Sequence, residues 1–313
     1  MTGSGKTWRA LFLAHMSLRA GSSVVWNDCA KGGEILYLLE KRPYRKDDER
    51  ITVLYPGIEK CKVDIQGSPF PIDYVPIIQP RTMFRQIRPG LNIVCVRPFF
   101  TELTPYTRYL SEAINGLIDD AYRHRIAVSP LKIFLDEFQQ ICPSRRAQES
   151  SQQHQLGQRI GMAVNTLRSE GIGLAAFSQS HRNVAPSVRP QFSWLVVGRN
   201  PDPGRDDFLG NLVYRYEPMI SKFKPNMAMT FFPDARFYGP ITWPKVAKPE
   251  GATVEYSGYI LPRRGKKGDD SYGRLKVRTT TGSDAERAGD VHGEGMHQDN
   301  GEGPEAMGGP NSG

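Results

Sequence analysis

Hydrophobic positions along this chain follow two alternating patterns. Residues 7–20 carry Trp8, Leu11, Phe12 and His15 at three- and four-residue spacing and stop at Gly21, which predicts an amphipathic helix with a glycine terminator. Ser23-Val24-Val25-Trp26 is short and apolar enough for a strand buried on both faces. The alternation continues with a helical stretch over 35–41, strands over 51–55 and 91–96, and a helix over 107–124. In that helix Leu110, Ala113, Ile114, Leu117 and Ile118 share one face. A strand over Leu131–Leu135, a helix over 156–170, and strands over 173–177 and 194–197 complete the series. Apolar strands separated by helices predict an α/β protein with a doubly wound, mostly parallel sheet and helices on both faces.

The pattern ends before the chain does. Beyond residue 279 the sequence is mostly Gly, Ser, Asp, Glu, Asn and Pro with no apolar period, and it cannot repay the entropy of ordering its backbone. The expected organisation is a main domain over 1–245, an extension over 246–278 and a disordered tail over 279–313. The net charge is +8. From Pro262 onward there are 8 basic and 9 acidic residues, against 33 and 24 before it, so the surplus belongs to the folded part. Such a surplus suits a polyanionic partner without requiring one. The longest apolar runs fall far short of the roughly 20 residues that span a bilayer, and no signal segment opens the chain, so a soluble cytoplasmic protein is expected. Cys29, Cys61, Cys95 and Cys142 form no CxxC pair and read as ordinary thiols rather than a zinc site or disulfide framework.

Two motifs carry chemistry. Met1-Thr2-Gly3-Ser4-Gly5-Lys6-Thr7 contains the GK[ST] end of a phosphate-binding loop at the start of a helix. Gly3, Ser4 and Gly5 would let backbone N–H groups converge on phosphate oxygens. Lys6 would add a full charge at the β and γ phosphates, and the Thr7 hydroxyl would reach Mg²⁺. The first glycine of the full pattern and the strand that feeds it would precede Met1, so the loop is read as truncated. The second motif is the apolar run Leu131–Leu135 ending in Asp136 and Glu137. It would place Asp136 beside the metal and Glu137 beside an attacking water. The apolar segment 173–177 likewise ends in Ser178-Gln179, setting Gln179 at the same sheet edge. Arg168, before that segment, is a candidate arginine finger acting across a subunit boundary, with Arg189 and Arg199 as alternatives.

Together these residues resemble the FtsK/HerA superfamily of motor ATPases, through residues 2–7, 27–34, 133–137 and 165–200. Leu167-Arg168-Ser169-Glu170-Gly171-Ile172-Gly173 followed by Ser178-Gln179-Ser180 is similar to the family's arginine, glycine, strand and Thr-Gln run, and 184–199 to its next helix and strand. Departures are the missing first glycine and strand, Asn27-Asp28-Cys29-Ala30 in place of a proline-containing turn, and Ser178 where threonine is usual. The resemblance implies a RecA-like P-loop fold, ATP and Mg²⁺, and a hexameric ring moving double-stranded DNA. It also implies nucleotide contacts at Lys6 and Thr7, an acidic pair at Asp136 and Glu137, a sensor at Gln179 and a finger at Arg168. A viral or mobile-element packaging or transfer motor would fit.

A ring pore would touch phosphates through cations such as those in 41–46, Arg81, Arg85, Arg88, Arg145 and Arg146. Two other readings stay open. Residues 138–145 also resemble the phage assembly and secretion ATPases related to zonula occludens toxin, and the chain could instead keep the fold without the nucleotide.

Overall fold

The apolar runs assemble side by side into one parallel sheet. The computed structural model describes residues 5–29, 33–40, 49–144, 151–205, 207–261 and 276–278. In chain order its main elements are α1 (Lys6–Arg19), β1 (Ser23–Asn27), β2 (Ile51–Pro56), β3 (Lys62–Gln66), β4 (Ile72–Ile77) and β5 (Leu91–Val94). Then come α2 (Leu103–Tyr122), β6 (Leu131–Leu135), the short α3 (Phe138–Ile141), α4 (Ser151–Ser169), β7 (Ile172–Ala176) and β8 (Leu195–Gly198). The series ends with α5 (Phe208–Ile220), β9 (Met227–Phe231), β10 (Phe237–Thr242), β11 (Thr253–Ser257), β12 (Tyr259–Leu261) and β13 (Lys276–Arg278).

Six strands form the central sheet in the order β4-β2-β5-β1-β6-β7, every neighbouring pair parallel. The strands β1 and β5 in its middle are buried at every position and are mostly apolar, with Asn92 of β5 satisfied by hydrogen bonds to the Arg88 backbone. Helices flank the sheet: α1 packs on β1 and β6 beside the 3₁₀ turn Glu34–Leu39, whereas α2 packs with α4 and the 3₁₀ turn Pro80–Gln86. The α2 contact is close. A Cβ on Gly116 would lie 1.9 Å from the carbonyl oxygen of Arg81.

Several boundaries depart from the sequence expectation. The helical stretch over 35–41 is a 3₁₀ turn, Glu34–Leu39. The strand expected over 91–96 ends at Val94, because Pro98 follows and the chain turns into the 3₁₀ segment Arg97–Phe99. On α1 the buried positions are Arg9, Ala10, Leu11, Ala14 and His15, while Trp8 packs edge-on to Tyr37 and Phe12 edge-on to Trp243. The helix expected between 184 and 194 is only the 3₁₀ turn Arg189–Gln191, where Pro186 and Pro190 interrupt any longer ladder. The sequence reading passed over β4, an edge strand carrying Asp73 and Pro76. Polar residues and a proline are tolerated there because one side of the ladder is free.

The run 194–197 is a strand, but not of the central sheet. β8 pairs antiparallel with β9, and β9 with β10, in a small sheet backed by α5 and a core of Val197, Leu212, Val213, Met229 and Phe231. Loops at both ends of β7 and β8 touch. Arg168 donates to Gln191 O and Ser193 Oγ at one end, and Ser180 Oγ donates to Asp202 at the other. The two strands belong to different sheets, and 173–176 of β7 are only half-buried. Farther on, β11 pairs with β3, and Val246, Ala252 and Ile260 join the main core. Residues 279–313, expected to be disordered, lie outside the described residues. No helix among the described residues is long and apolar enough to cross a membrane.

Candidate active site

In a parallel sheet every strand delivers its carboxyl end to the same edge, and ligands of open α/β folds bind there. Here that edge gathers Asn27, Asp28 and Cys29 after β1, Arg97 after β5, Asp136 and Glu137 after β6, and Gln179 after β7. Cys29, Arg97, Tyr106, Asp136, Glu137, Gln140 and Gln179 help line a cavity of about 270 Å³.

The amino end of α1 opens onto the same edge. Gly5 sits at its N-cap with φ 70°, a left-handed conformation that glycine adopts without penalty, and no side chain caps the turn. A Cβ on Gly5 would fall 2.3 Å from Asn226 Oδ1 and 3.1 Å from its Cα, so a larger residue here would have to displace the Asn226 side chain as well as bear the left-handed backbone. The first-turn amides thus keep the positive end of the helix dipole unmasked by a side chain, a ready anion site.

Lys6 leaves this turn and points at the end of β6. Its Nζ lies 2.9 Å from Asp136 Oδ1 and 3.0 Å from Glu137 Oε1. The three side chains are 15%, 7% and 8% exposed, so this contact is weakly screened, unlike a surface ion pair. Glu137 is at φ 48°, a left-handed conformation that costs a non-glycine residue roughly 1–3 kcal/mol. Its N–H donates to Asp136 Oδ1 at 2.8 Å. Gln179 Nε2 donates to Glu137 Oε1 at 3.0 Å, and Gln139 Nε2 donates to Oε2. Thr7 Oγ1 donates to Glu34 Oε1 at 3.2 Å.

Five sequence candidates, Lys6, Thr7, Asp136, Glu137 and Gln179, therefore stand around the opening of α1, with Gly5 at its cap. Gly3 and Ser4 lie outside the described residues, as do 41–46, Arg145 and Arg146. Arg168 is elsewhere. It is exposed before the amino end of β7, the sheet edge opposite Asp136, and is held by Gln191 and Ser193. Arg189 is buried against Asp207, and Arg199 is exposed after β8. The proposed DNA cations Arg81, Arg85 and Arg88 pair with Asp119, Asp120 and Asp73.

Arg97, Tyr106 and Tyr256 carry no signal in the sequence, whereas Asn27-Asp28 stands out there as a polar strand end. Arg97 and Tyr106 line the cavity, with the Arg97 guanidinium 5.7 Å from the Tyr106 ring centre. Asn27 Nδ2 donates to Tyr106 Oη at 2.6 Å, and Tyr256 Oη donates to buried Asp28 at 2.6 Å. Burial pushes both phenols well above the ordinary tyrosine range, so they remain neutral donors or acceptors. Neither hydrogen-bonded pair has a local spacing signal, since the partners are 79 and 228 residues apart.

The cavity also sorts the thiols. Burial raises Cys61 to about 12 and lifts Cys95 and Cys142 further, whereas Cys29 is half-buried with its Sγ 3.7 Å from Asp136 O. A neutral-pH disulfide reagent is expected to modify Cys29 alone in the native protein, with the other three reacting only on unfolding. Mass mapping of the labelled peptides checks this. Equal labelling of Cys142 in the native state would contradict the burial described.

No family model matches the chain, and no curated protein matches it in sequence. Among solved structures it is similar to the genome packaging NTPase B204 from Sulfolobus turreted icosahedral virus 2 in complex with ATP-gammaS. The identity is 9%, the TM-score 0.42, and 78% of this chain and 94% of that one are covered. The DNA-packaging ATPase B204 from Sulfolobus turreted icosahedral virus is similar at 11% identity and TM-score 0.39, covering 76% and 95%. The N-terminal domain of zonular occludens toxin from Neisseria meningitidis shows 12% identity and TM-score 0.23, covering 75% and 93%. Such identities carry no residue roles across. Six parallel strands flanked by helices, with a lysine at the first helix facing the acids that end β6, make a doubly wound α/β fold consistent with the RecA-like P-loop type.

Proposed function

We propose that this chain is an ATP-hydrolysing motor that moves double-stranded DNA, as in genome packaging or transfer. One observation carries the reading: Lys6, at the uncapped amino end of α1, is held between Asp136 and Glu137 at 2.9 and 3.0 Å. A lysine beside an open helix terminus suits a triphosphate, and the paired acids suit a metal ligand and a base. The donors fit magnesium. Thr7 supplies a hydroxyl and Asp136 a carboxylate, both hard oxygen ligands. Mg²⁺ on a nucleotide needs only one or two such protein groups beside phosphates and water. When MgATP binds, Lys6 exchanges carboxylate oxygens for phosphate oxygens. Glu137, released from Lys6, accepts a proton from the attacking water, and Gln179 keeps the carboxylate oriented.

Arg168 stands at the opposite sheet edge from its own Asp136, exposed and positioned by two hydrogen bonds. It could serve only the site of a neighbouring subunit, which favours a ring, hexameric in the family the sequence resembles. The basic surplus before residue 262 supports a phosphate-rich partner such as duplex DNA. Ring formation, DNA and Mg²⁺ are part of this proposal.

The test is steady-state hydrolysis of MgATP by the full chain with and without duplex DNA, beside calorimetric MgATP titration. Micromolar binding and a DNA-stimulated rate are expected. Binding with an identical rate in both conditions would remove the DNA motor and leave the assembly or secretion ATPase suggested by residues 138–145. No binding would mean that the chain keeps the fold without the nucleotide.

A further inference from the structure

Several arginines among the described residues are committed to carboxylates. Arg50 and Arg88 hold Asp73, Arg81 and Arg159 hold Asp119, Arg85 holds Asp120 and Arg189 holds Asp207. Arg97 is different. It follows β5 at the carboxyl edge, is half-buried, and lines the cavity shared with Asp136, Glu137 and Gln179. No carboxylate lies in ion-pair range of it among the described residues. Its Nη1 donates to Phe100 O, and its guanidinium lies over the Tyr106 ring, 5.7 Å from the ring centre.

Those two contacts fix the side chain without neutralising it. Tyr106 is 3% exposed and is itself anchored by Asn27 at the end of β1, so the platform under Arg97 belongs to the sheet edge. The remaining donors of the planar guanidinium form a fork whose natural complement is a pair of oxygens on a carboxylate or phosphate. The neighbouring carboxylates, Asp136 and Glu137, are already taken by Lys6. A half-buried, pre-oriented cation with spare donors beside an acid pair therefore marks the place of an incoming anion.

We propose that Arg97 is a phosphate-binding residue of this site, acting within its own chain on the terminal phosphoryl oxygens of the triphosphate and on the inorganic phosphate cleaved from it. The proposal rests on the nucleotide reading above and adds a residue to it. In the step concerned, the water oxygen bonds to the γ phosphorus while Glu137 takes the water proton. The bridging P–O bond breaks with its electron pair on the ADP oxygen. Arg97 gains and loses no proton; it compensates charge on the equatorial oxygens. Its side of the cavity differs from that of Lys6: Arg97 follows β5, two strands from β6.

Arg97→Met and Arg97→Lys in the full chain test this. With Arg97→Met, kcat for ATP is expected to fall about 10–100-fold with KM within about threefold, the pattern of a contact made chiefly in the transition state. Arg97→Lys is expected to fall between the two. Titration with inorganic phosphate, followed by phosphorus NMR, is expected to show binding at least about tenfold weaker in Arg97→Met, a loss typical of one charge-assisted contact. Values within twofold of the parent in both measurements would overturn the proposal. If Arg97→Met melts early, Arg97→Lys, which keeps the stem and charge, decides by the same criteria.

An equimolar mixture of Arg97→Met and Glu137→Gln chains should hydrolyse no faster than the average of the two alone. Recovery above that average would overturn action within one chain. If the parent hydrolyses no ATP, the motor reading fails, and the phosphate titration alone decides the role of Arg97.

Discussion

Replacing Glu137 by Gln is expected to slow ATP hydrolysis about 10²–10⁴-fold, the range for losing a positioned general base, while nucleotide affinity stays within a few-fold. The amide keeps the size of the side chain and an oxygen that can accept from Lys6 and Gln179, now at 3.0 Å each. What disappears is the capacity to take a proton. The left-handed backbone at φ 48° costs glutamine as much as glutamate, so the fold is not relieved by the change. Gln139, whose Nε2 now donates to Oε2, would face an NH₂ group, and that local loss should appear as a small drop in thermal stability. Single-turnover hydrolysis beside equilibrium binding of a fluorescent ATP analogue separates the two effects. A single-turnover rate within tenfold of the parent would remove Glu137 from the chemistry and require another base.

The largest expected stability effect lies away from the site. Gly116→Ala should lower stability by about 1–3 kcal/mol or more, as overpacking in a rigid core does. Alanine would gain about 1 kcal/mol of intrinsic helix preference over glycine. Its Cβ, however, would sit 1.9 Å from a backbone oxygen of the Pro80–Gln86 turn, which can yield only if α2 and that turn separate. Gly157→Ala on α4 supplies the contrast. There the added Cβ meets the Ala185 methyl at 3.3 Å, so the helix preference should largely survive. Thermal melts of both variants read the difference. A Gly116→Ala melting temperature at or above the parent would show that the α2 contact is looser than described.

The legible parts of the site shared one property: their signals were local. Lys6 and Thr7 stand at a helix start marked by glycines, and Leu131–Leu135 is a mostly apolar run, with Lys132 near its start, that ends in the acids. A strand buried on both faces is mostly apolar, and a cluster of acids is tolerated best where it leaves the sheet. Its end therefore announces the edge where chemistry occurs. Gln179 was readable for the same reason. Arg97 was not, because its setting comes from Tyr106 on α2 and Asn27 at the end of β1. The arginines proposed for DNA looked free in sequence, yet Arg81, Arg85 and Arg88 proved to have aspartates on neighbouring elements.

Strand membership divides along the same line. Periodicity located residues 194–197 as extended chain, since alternation and apolarity fix a local conformation. Which sheet the segment joins depends on hydrogen-bond partners far along the chain, and β9 supplied them. The amino-acid order by itself determined the alternation of strands and helices, the parallel core, and the positions of Lys6, Asp136, Glu137 and Gln179 at its ends. Only the tertiary structure decided that Lys6 bridges both acids, that Arg168 faces away from them and that Arg97 lines the cavity with no carboxylate in ion-pair range among the described residues. These outcomes depend on distances between residues remote in sequence, and no local pattern of side chains encodes them.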